Sequence, residues 1–225
     1  SNFLTSVKAD MKLANLNTNS HSYKVYYADG TFKIATNVDL DSSSDTFNNI
    51  VMTREIVTIN SGVEIKSNSG KGLSMSGGDS STSNSQTGYI NNGAINITGG
   101  NLSASSSAIN TSFGTILNNK DITIDSGIGI IGVNGTKITN NSIGTIKVTN
   151  SGVGIAGFTS GASLQAYGTD ELISLGTLIS SDKVVDITNN GTIEISGIQS
   201  VAIYAENNNT TGLVKKENIS VNNSS

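Results

Sequence analysis

The run that most resembles a ligand set is Asp39-Leu40-Asp41-Ser42-Ser43-Ser44-Asp45, which places oxygen donors at alternate positions as the opening of a calcium loop does. Such a loop needs a central glycine and a carboxylate at its twelfth position. Here the glycine is missing and the twelfth position is Ile50, so a solvated acidic turn is expected. His21 is the only histidine and Arg54 the only arginine, and no spacing ties His21 to a serine or aspartate as a general base. With one histidine and no cysteine, multi-histidine zinc sites, thiolate chemistry and disulfides are excluded. Glycan-cleaving enzymes need clustered carboxylates, and the acids of this chain do not align from one repeat to the next. Tyr89, Phe158, Tyr167 and Tyr204 could each stack on a sugar ring, although packing is the more ordinary role of an isolated aromatic. Triplets such as Asn96-Ile97-Thr98 and Asn190-Gly191-Thr192 arise by chance in a chain this rich in Asn, Ser and Thr. No catalytic, cofactor-binding or metal residue is assigned, no enzyme activity and no cofactor are expected, and the sequence singles out no binding residue.

The elements that would position any such groups follow from composition and period. The chain has 225 residues, 35% of them apolar, with 25 glycines, enough for one sizeable folded domain. Charged residues make up 13%, about half the usual ~25%, so the surface is neutral and hydrogen-bonding. The net charge of -4 and the absence of any basic cluster longer than Lys215-Lys216 argue against a nucleic-acid partner. No apolar run approaches the ~18 residues of a membrane span and no signal-like segment opens the chain, so a soluble piece of something longer, not inserted in a membrane, is expected.

An asparagine pair followed by an alternating aliphatic run recurs along the chain, as in Asn91-Asn92-Gly93-Ala94-Ile95-Asn96-Ile97 and Asn189-Asn190-Gly191-Thr192-Ile193-Glu194-Ile195. The first aliphatics fall at 95, 122, 146, 193 and 219, at intervals of 27, 24, 47 and 26. Read as two periods with a degenerate copy near Leu172-Ile173-Ser174-Leu175, the interval of 47 gives a mean period of about 25 residues, within the range of solenoid repeats. A second apolar segment follows in each period (Gly127–Gly132, Gly152–Gly157, Ser200–Ala205), then a weaker third, as in Lys137-Ile138-Thr139, Ser163–Ala166 and Gly212-Leu213-Val214.

Ile-x-Ile alternation puts both aliphatics on one face, and short strands with one apolar face bury it against copies of themselves. The expected fold is all-β, a parallel β-helix with about three strands per ~25-residue coil. Coils ~4.8 Å apart would stack Ile95, Ile122, Ile146 and Ile193 into an interior ladder. The asparagines just before them, Asn92, Asn119, Asn141 and Asn190, could form an amide ladder at the bend. Asn-Gly at 92–93, 134–135 and 190–191 suits bends with positive φ, and Gly129 and Gly154 allow close lateral packing. The absence of proline fits strands hydrogen-bonded on both sides.

Residues 1–57 lack the repeat and are expected to cap the first coil, leaving 58–225 as the β-helix. Within the cap, the segment from His21 to Thr36 reads as a hairpin turning at Asp29-Gly30, pairing Tyr27 with Phe32 and Val25 with Ile34. Phe3, Leu4, Val7, Met11 and Ala14 fit a short amphipathic turn or, nearly as well, a strand, and 77–87 a projecting loop.

The segment 189–205 and Gly152-Val153-Gly154-Ile155-Ala156-Gly157 resemble the passenger repeats of large type V autotransporter adhesins, especially fusobacterial ones, over roughly residues 58 to 225. The resemblance implies a right-handed β-helix displayed at the bacterial cell surface. It would mediate attachment to host-cell or bacterial surface glycans or proteins, and would continue into further β-helix and an outer-membrane barrel. It transfers no binding residue, because the matching part is the scaffold. A β-helical polysaccharide lyase or hydrolase and an inert stalk are the alternatives.

Overall fold

The alternating segments form strands whose burial follows the alternation. A computed structural model of the chain describes residues 25–28, 31–41, 56–76, 88–103, 106–112, 114–133, 135–159, 164–167, 171–174, 185–206 and 219–224. The strands begin with β1 (Val25–Ala28), β2 (Thr31–Ile34), β3 (Val38–Asp39), β4 (Ile56–Ile59), β5 (Glu64–Ser67) and β6 (Lys71–Ser76). There follow β7 (Gly88–Asn91), β8 (Ala94–Ile97), β9 (Ser107–Ser112), β10 (Thr115–Asn118), β11 (Asp121–Val133), β12 (Thr136–Asn140) and β13 (Thr145–Phe158). The last are β14 (Leu164–Tyr167), β15 (Glu171–Ser174), β16 (Val185–Asn189), β17 (Thr192–Ile195), β18 (Val201–Glu206) and β19 (Ile219–Asn223). Among the described residues there is no helix.

Successive repeats visit three strand positions in turn. The first position is a sheet ordered β1-β2-β4-β7-β10-β12-β16-β19, and the second runs β3-β5-β8-β11-β13-β17. The third stacks β6, β9, the later halves of β11 and β13, and β18. All pairings within these stacks are parallel except β1 with β2. The fold is therefore all-β and β-helix-like, built from stacked parallel strands.

Stacking in register carries the core. At the first position Phe32, Val57, Tyr89, Ile116, Ile138, Ile187 and Val221 form one file. At the second, Ile65, Ile95, Ile122, Ile146 and Ile193 do the same, as the expected ladder required. Ile95, Ile122 and Ile146 are fully buried, each stabilising by about 1.5–3 kcal/mol through removal from water, while Ile193 at the end of the file is only partly buried.

Two readings of the period are corrected. The 47-residue interval is one repeat, because Ile146 pairs directly with Ile193. The degenerate copy expected near Leu172 is instead one arm of an antiparallel hairpin, β14 with β15, which pairs with neither stack. Length alone could not separate a missing repeat from an insertion of equal size. Ile219 likewise does not stack on Ile193. It pairs with Val185 and belongs to the first position.

At the N-terminal end, the hairpin pairs Tyr27 with Phe32 and Val25 with Ile34, as its alternation predicted. Its second arm already lies parallel to β4, and Val38 of β3 pairs with Ile65, so parallel stacking reaches back into the expected cap as far as β2. The short helical turn from Phe3 to Ala14 and the loop at 77–87 lie outside the described residues. Gly135 has positive φ, but Gly93 and Gly191 do not. A Cβ at Gly93 would sit 2.7 Å from the Asn60 carbonyl oxygen, so close packing between repeats, and not a left-handed turn, explains that glycine. Gly129 meets its expectation, since a Cβ there would lie 2.6 Å from the Gly154 carbonyl oxygen.

Candidate functional site

From β7 to β16 each first-position strand places an aliphatic or aromatic side chain inward and, two residues later, an asparagine on the same face, where β2 and β4 have Ile34 and Ile59. Asn91, Asn118, Asn140 and Asn189 are consequently buried at the bend. Asn91 Nδ2 donates to Asn118 Oδ1 at 2.9 Å, Asn118 to Asn140 at 2.9 Å, Asn140 to Asn189 at 2.9 Å and Asn189 to Asn223 at 2.8 Å. The second hydrogen of Nδ2 reaches a backbone carbonyl, Lys120 for Asn118 and Gly144 for Asn140.

The amide ladder was expected on the second asparagine of each pair, and the buried one runs through the first. The expected residues form a partial outer file. Asn119 Nδ2 donates to Asn92 Oδ1 at 2.8 Å and Asn141 Nδ2 donates to Asn119 Oδ1, whereas Asn190 accepts from Ser224 Oγ.

The third position differs from the other two by being apolar on both faces. Ile130 and Ile155 point into the main core, while Ile128, Ile131, Val153, Ala156 and Phe158 form a separate buried cluster, with Val133, Val201 and Tyr204 packed against it. The Phe158 and Tyr204 rings stand 5.8 Å apart with a 41° tilt. The signal was present in Gly127–Gly132, where isoleucines at 128, 130 and 131 cannot all share one face.

Two of the four expected sugar-stacking aromatics are unavailable. Phe158 is fully buried, and Tyr89 is buried with its hydroxyl donating to the Ser74 carbonyl at 3.0 Å. Desolvation pushes the Tyr89 phenol well above its ordinary range. Tyr204 is half-buried, and nothing is described of the Tyr167 side chain.

Of the calcium-like run only Asp39, Leu40 and Asp41 are among the described residues. Asp39 Oδ1 accepts the Asp41 N–H at 3.0 Å, while the Asp41 carboxylate accepts the Ser67 hydroxyl at 3.2 Å and the Asn68 N–H. Asp41 thus ties the first repeat to the next. Asp45, His21 and Arg54 lie outside the described residues. Among the described residues no three His, Cys, Asp or Glu side chains gather to hold a metal ion, and no helix is long and apolar enough to cross a membrane.

What faces solvent at the second position is a file of mixed polarity: Lys66, Asn96, Thr123, Lys147 and Glu194. Asn96 Nδ2 also donates to Glu64 Oε2 at 2.8 Å, linking adjacent repeats across this face. Such a surface offers hydrogen-bond donors and acceptors at the strand spacing of ~4.8 Å with little net charge. Comparison with protein-family models, with curated proteins and with solved structures returned no match.

Proposed function

We propose that this chain is an extracellular display and adhesion module, the passenger segment of a bacterial type V autotransporter, in which the three strand positions close into a right-handed β-helix. The observation that carries the reading is the in-register file from Phe32 to Val221, seven strands deep. A stack of this kind extends by adding like units, each contacting only its neighbours, and so makes a rod about 29 Å long at ~4.8 Å per step. The mixed polar file along Lys66, Asn96, Thr123, Lys147 and Glu194 supports binding through hydrogen bonds to a glycan or protein on a host or bacterial surface. In this reading the chain catalyses no reaction, works outside the cell, and continues in its parent protein into further repeats and a membrane barrel.

The test is a glycan array together with a cell-binding assay on the whole chain. Saturable binding that weakens when Lys147 and Glu194 are both replaced by Ala supports adhesion. Absence of binding to every glycan and cell type favours an inert stalk, and release of reducing ends from polysaccharides would replace the proposal with an enzyme.

A further inference from the structure

We propose that a notch at the bend between the first and second strand positions binds one neutral sugar ring, the terminal hexose of a surface glycan. This deepens the adhesive reading above and rests on it. The notch arises from residue size. The bend between β4 and β5 holds residues 60–63, whereas the bend between β7 and β8 holds only Asn92 and Gly93 and is recessed beside it. In register, Ala94 stands between Glu64 and Asp121, and one residue earlier Gly93 stands between Val63 and Lys120. A rung with almost no side-chain volume thus lies between two that carry charged groups. Gly93 has no room for more, since a Cβ there would lie 2.4 Å from the Val63 carbonyl oxygen. The result is a cavity of about 180 Å³, lined in part by Glu64, Asn92, Gly93, Ala94, Lys120 and Asp121.

The notch is internal to the stack, with described rungs on both sides. Glu64 N donates to Asn37 Oδ1 at 2.9 Å on one side, and Thr145 N donates to the Lys120 carbonyl at 2.8 Å on the other.

The lining selects the ligand. The Glu64 and Asp121 carboxylates only accept hydrogen bonds, whereas the Lys120 ammonium and the Asn92 amide nitrogen only donate. Glu64 Oε2 takes the Asn96 amide at 2.8 Å and Asn92 Oδ1 takes the Asn119 amide at 2.8 Å, which orients both side chains and leaves Glu64 Oε1 and Asn92 Nδ2 for a ligand. Among the described residues the Lys120 ammonium and the Asp121 carboxylate have no hydrogen-bond partner. An anion would face two carboxylates, and a cation would face Lys120 and leave the Asn92 donor unmatched. A hydroxyl both donates and accepts, so the ring of a neutral hexose serves both kinds of group while its C–H face rests on Gly93 and Ala94. Pockets for drug-sized ligands begin at about 300 Å³, and the smaller volume here suits a single ring.

The probes are the methyl glycosides of glucose, galactose and mannose, titrated into the whole isotope-labelled chain and followed through backbone amide shifts. At least one should bind saturably, with a Kd on the order of 1 mM for so small a ligand, and move the amides of 92–94 and 120–121. Ala94→Gln, at an outward strand position where circular dichroism should be unchanged, fills the notch and should weaken binding roughly tenfold or more. Asp121→Asn, which keeps the shape and removes one charged acceptor, should weaken it several-fold. Failure of all three glycosides to bind, shifts confined to other residues, or affinity unchanged in both variants would each overturn the proposal. So would tighter binding of N-acetylneuraminic acid, or of butylammonium as a mimic of a lysine side chain. Cell adhesion that survives Ala94→Gln while no hexoside binds would remove this site and keep the adhesin. Hexoside binding without adhesion to any cell would keep the site and remove the adhesin.

Discussion

Asn140 Nδ2 donates to Asn189 Oδ1 at 2.9 Å although 49 residues separate them in the chain. The link spans the inserted hairpin, so it records in one contact both the amide ladder and the fact that the stack ignores the insertion.

Interrupting the ladder at its centre should be expensive. Asn140→Leu would leave Asn118 Nδ2 without its acceptor and Asn189 Oδ1 without its donor, at about 1–3 kcal/mol for each unpaired group. Asn141→Leu, in the outer partly exposed file, should cost less than about 1 kcal/mol. Urea unfolding of the two variants measures the difference as midpoints at unchanged slope.

The insertion should be dispensable to the stack. Gly157 lies beside Gly132 and Val185 beside Thr136, so the segment 159–184 occupies the place that residues 134–135 fill one repeat earlier. Replacing 159–184 by Asn-Gly should keep the β-sheet circular dichroism of the stack and a cooperative melt. Loss of cooperative unfolding would mean that the hairpin segment is integral to it.

Left-handed residues stand in file at the bend between the second and third positions: Gly99, Ser126, Asn150 and Gly197, with φ of 75°, 64°, 56° and 104°. Gly99→Ala should destabilise by more than about 2 kcal/mol, because the new Cβ would meet the Asn68 carbonyl oxygen in a strained conformation. Ser126→Gly should be neutral or stabilise by up to ~1 kcal/mol, since glycine occupies this φ without strain. Thermal melts of both variants check the contrast.

Thr111 is fully buried, and its hydroxyl has no hydrogen-bond partner among the described residues. Thr111→Val keeps the shape and removes the unpaired group, so it should raise stability by about 1 kcal/mol, read as a higher urea midpoint.

Much of this architecture was legible because strand alternation is a strong local signal. Ile-x-Ile located the second-position strands and placed Ile95, Ile122, Ile146 and Ile193 in one file. The same rule, applied one strand earlier, would have found the buried ladder: Tyr89-x-Asn91, Ile116-x-Asn118, Ile138-x-Asn140 and Ile187-x-Asn189 each put the first asparagine inward. Attention to the bend, where Asn tolerates unusual φ, favoured the second asparagine instead. The hairpin at Leu164–Ser174 was obscure for a different reason, since its alternation matches a stacked strand and only long-range pairing distinguishes the two. The solvent-facing file of Asn96, Thr123, Lys147 and Glu194 follows from the same alternation, since each is the residue between the paired aliphatics.

The most direct measurement is disulfide trapping in this cysteine-free chain. Lys147 and Glu194 are register partners on adjacent strands, whose ~4.8 Å spacing lies within the Cα separation a disulfide spans. The Lys147→Cys/Glu194→Cys variant should therefore cross-link on mild oxidation in the folded chain. Lys147→Cys/Ser174→Cys, which would be adjacent if the 47-residue interval held two repeats with Ile173-Ser174-Leu175 stacked on Ile146-Lys147-Val148, should remain reduced. Cross-linking of the second pair with none of the first would contradict the direct stacking of β17 on β13.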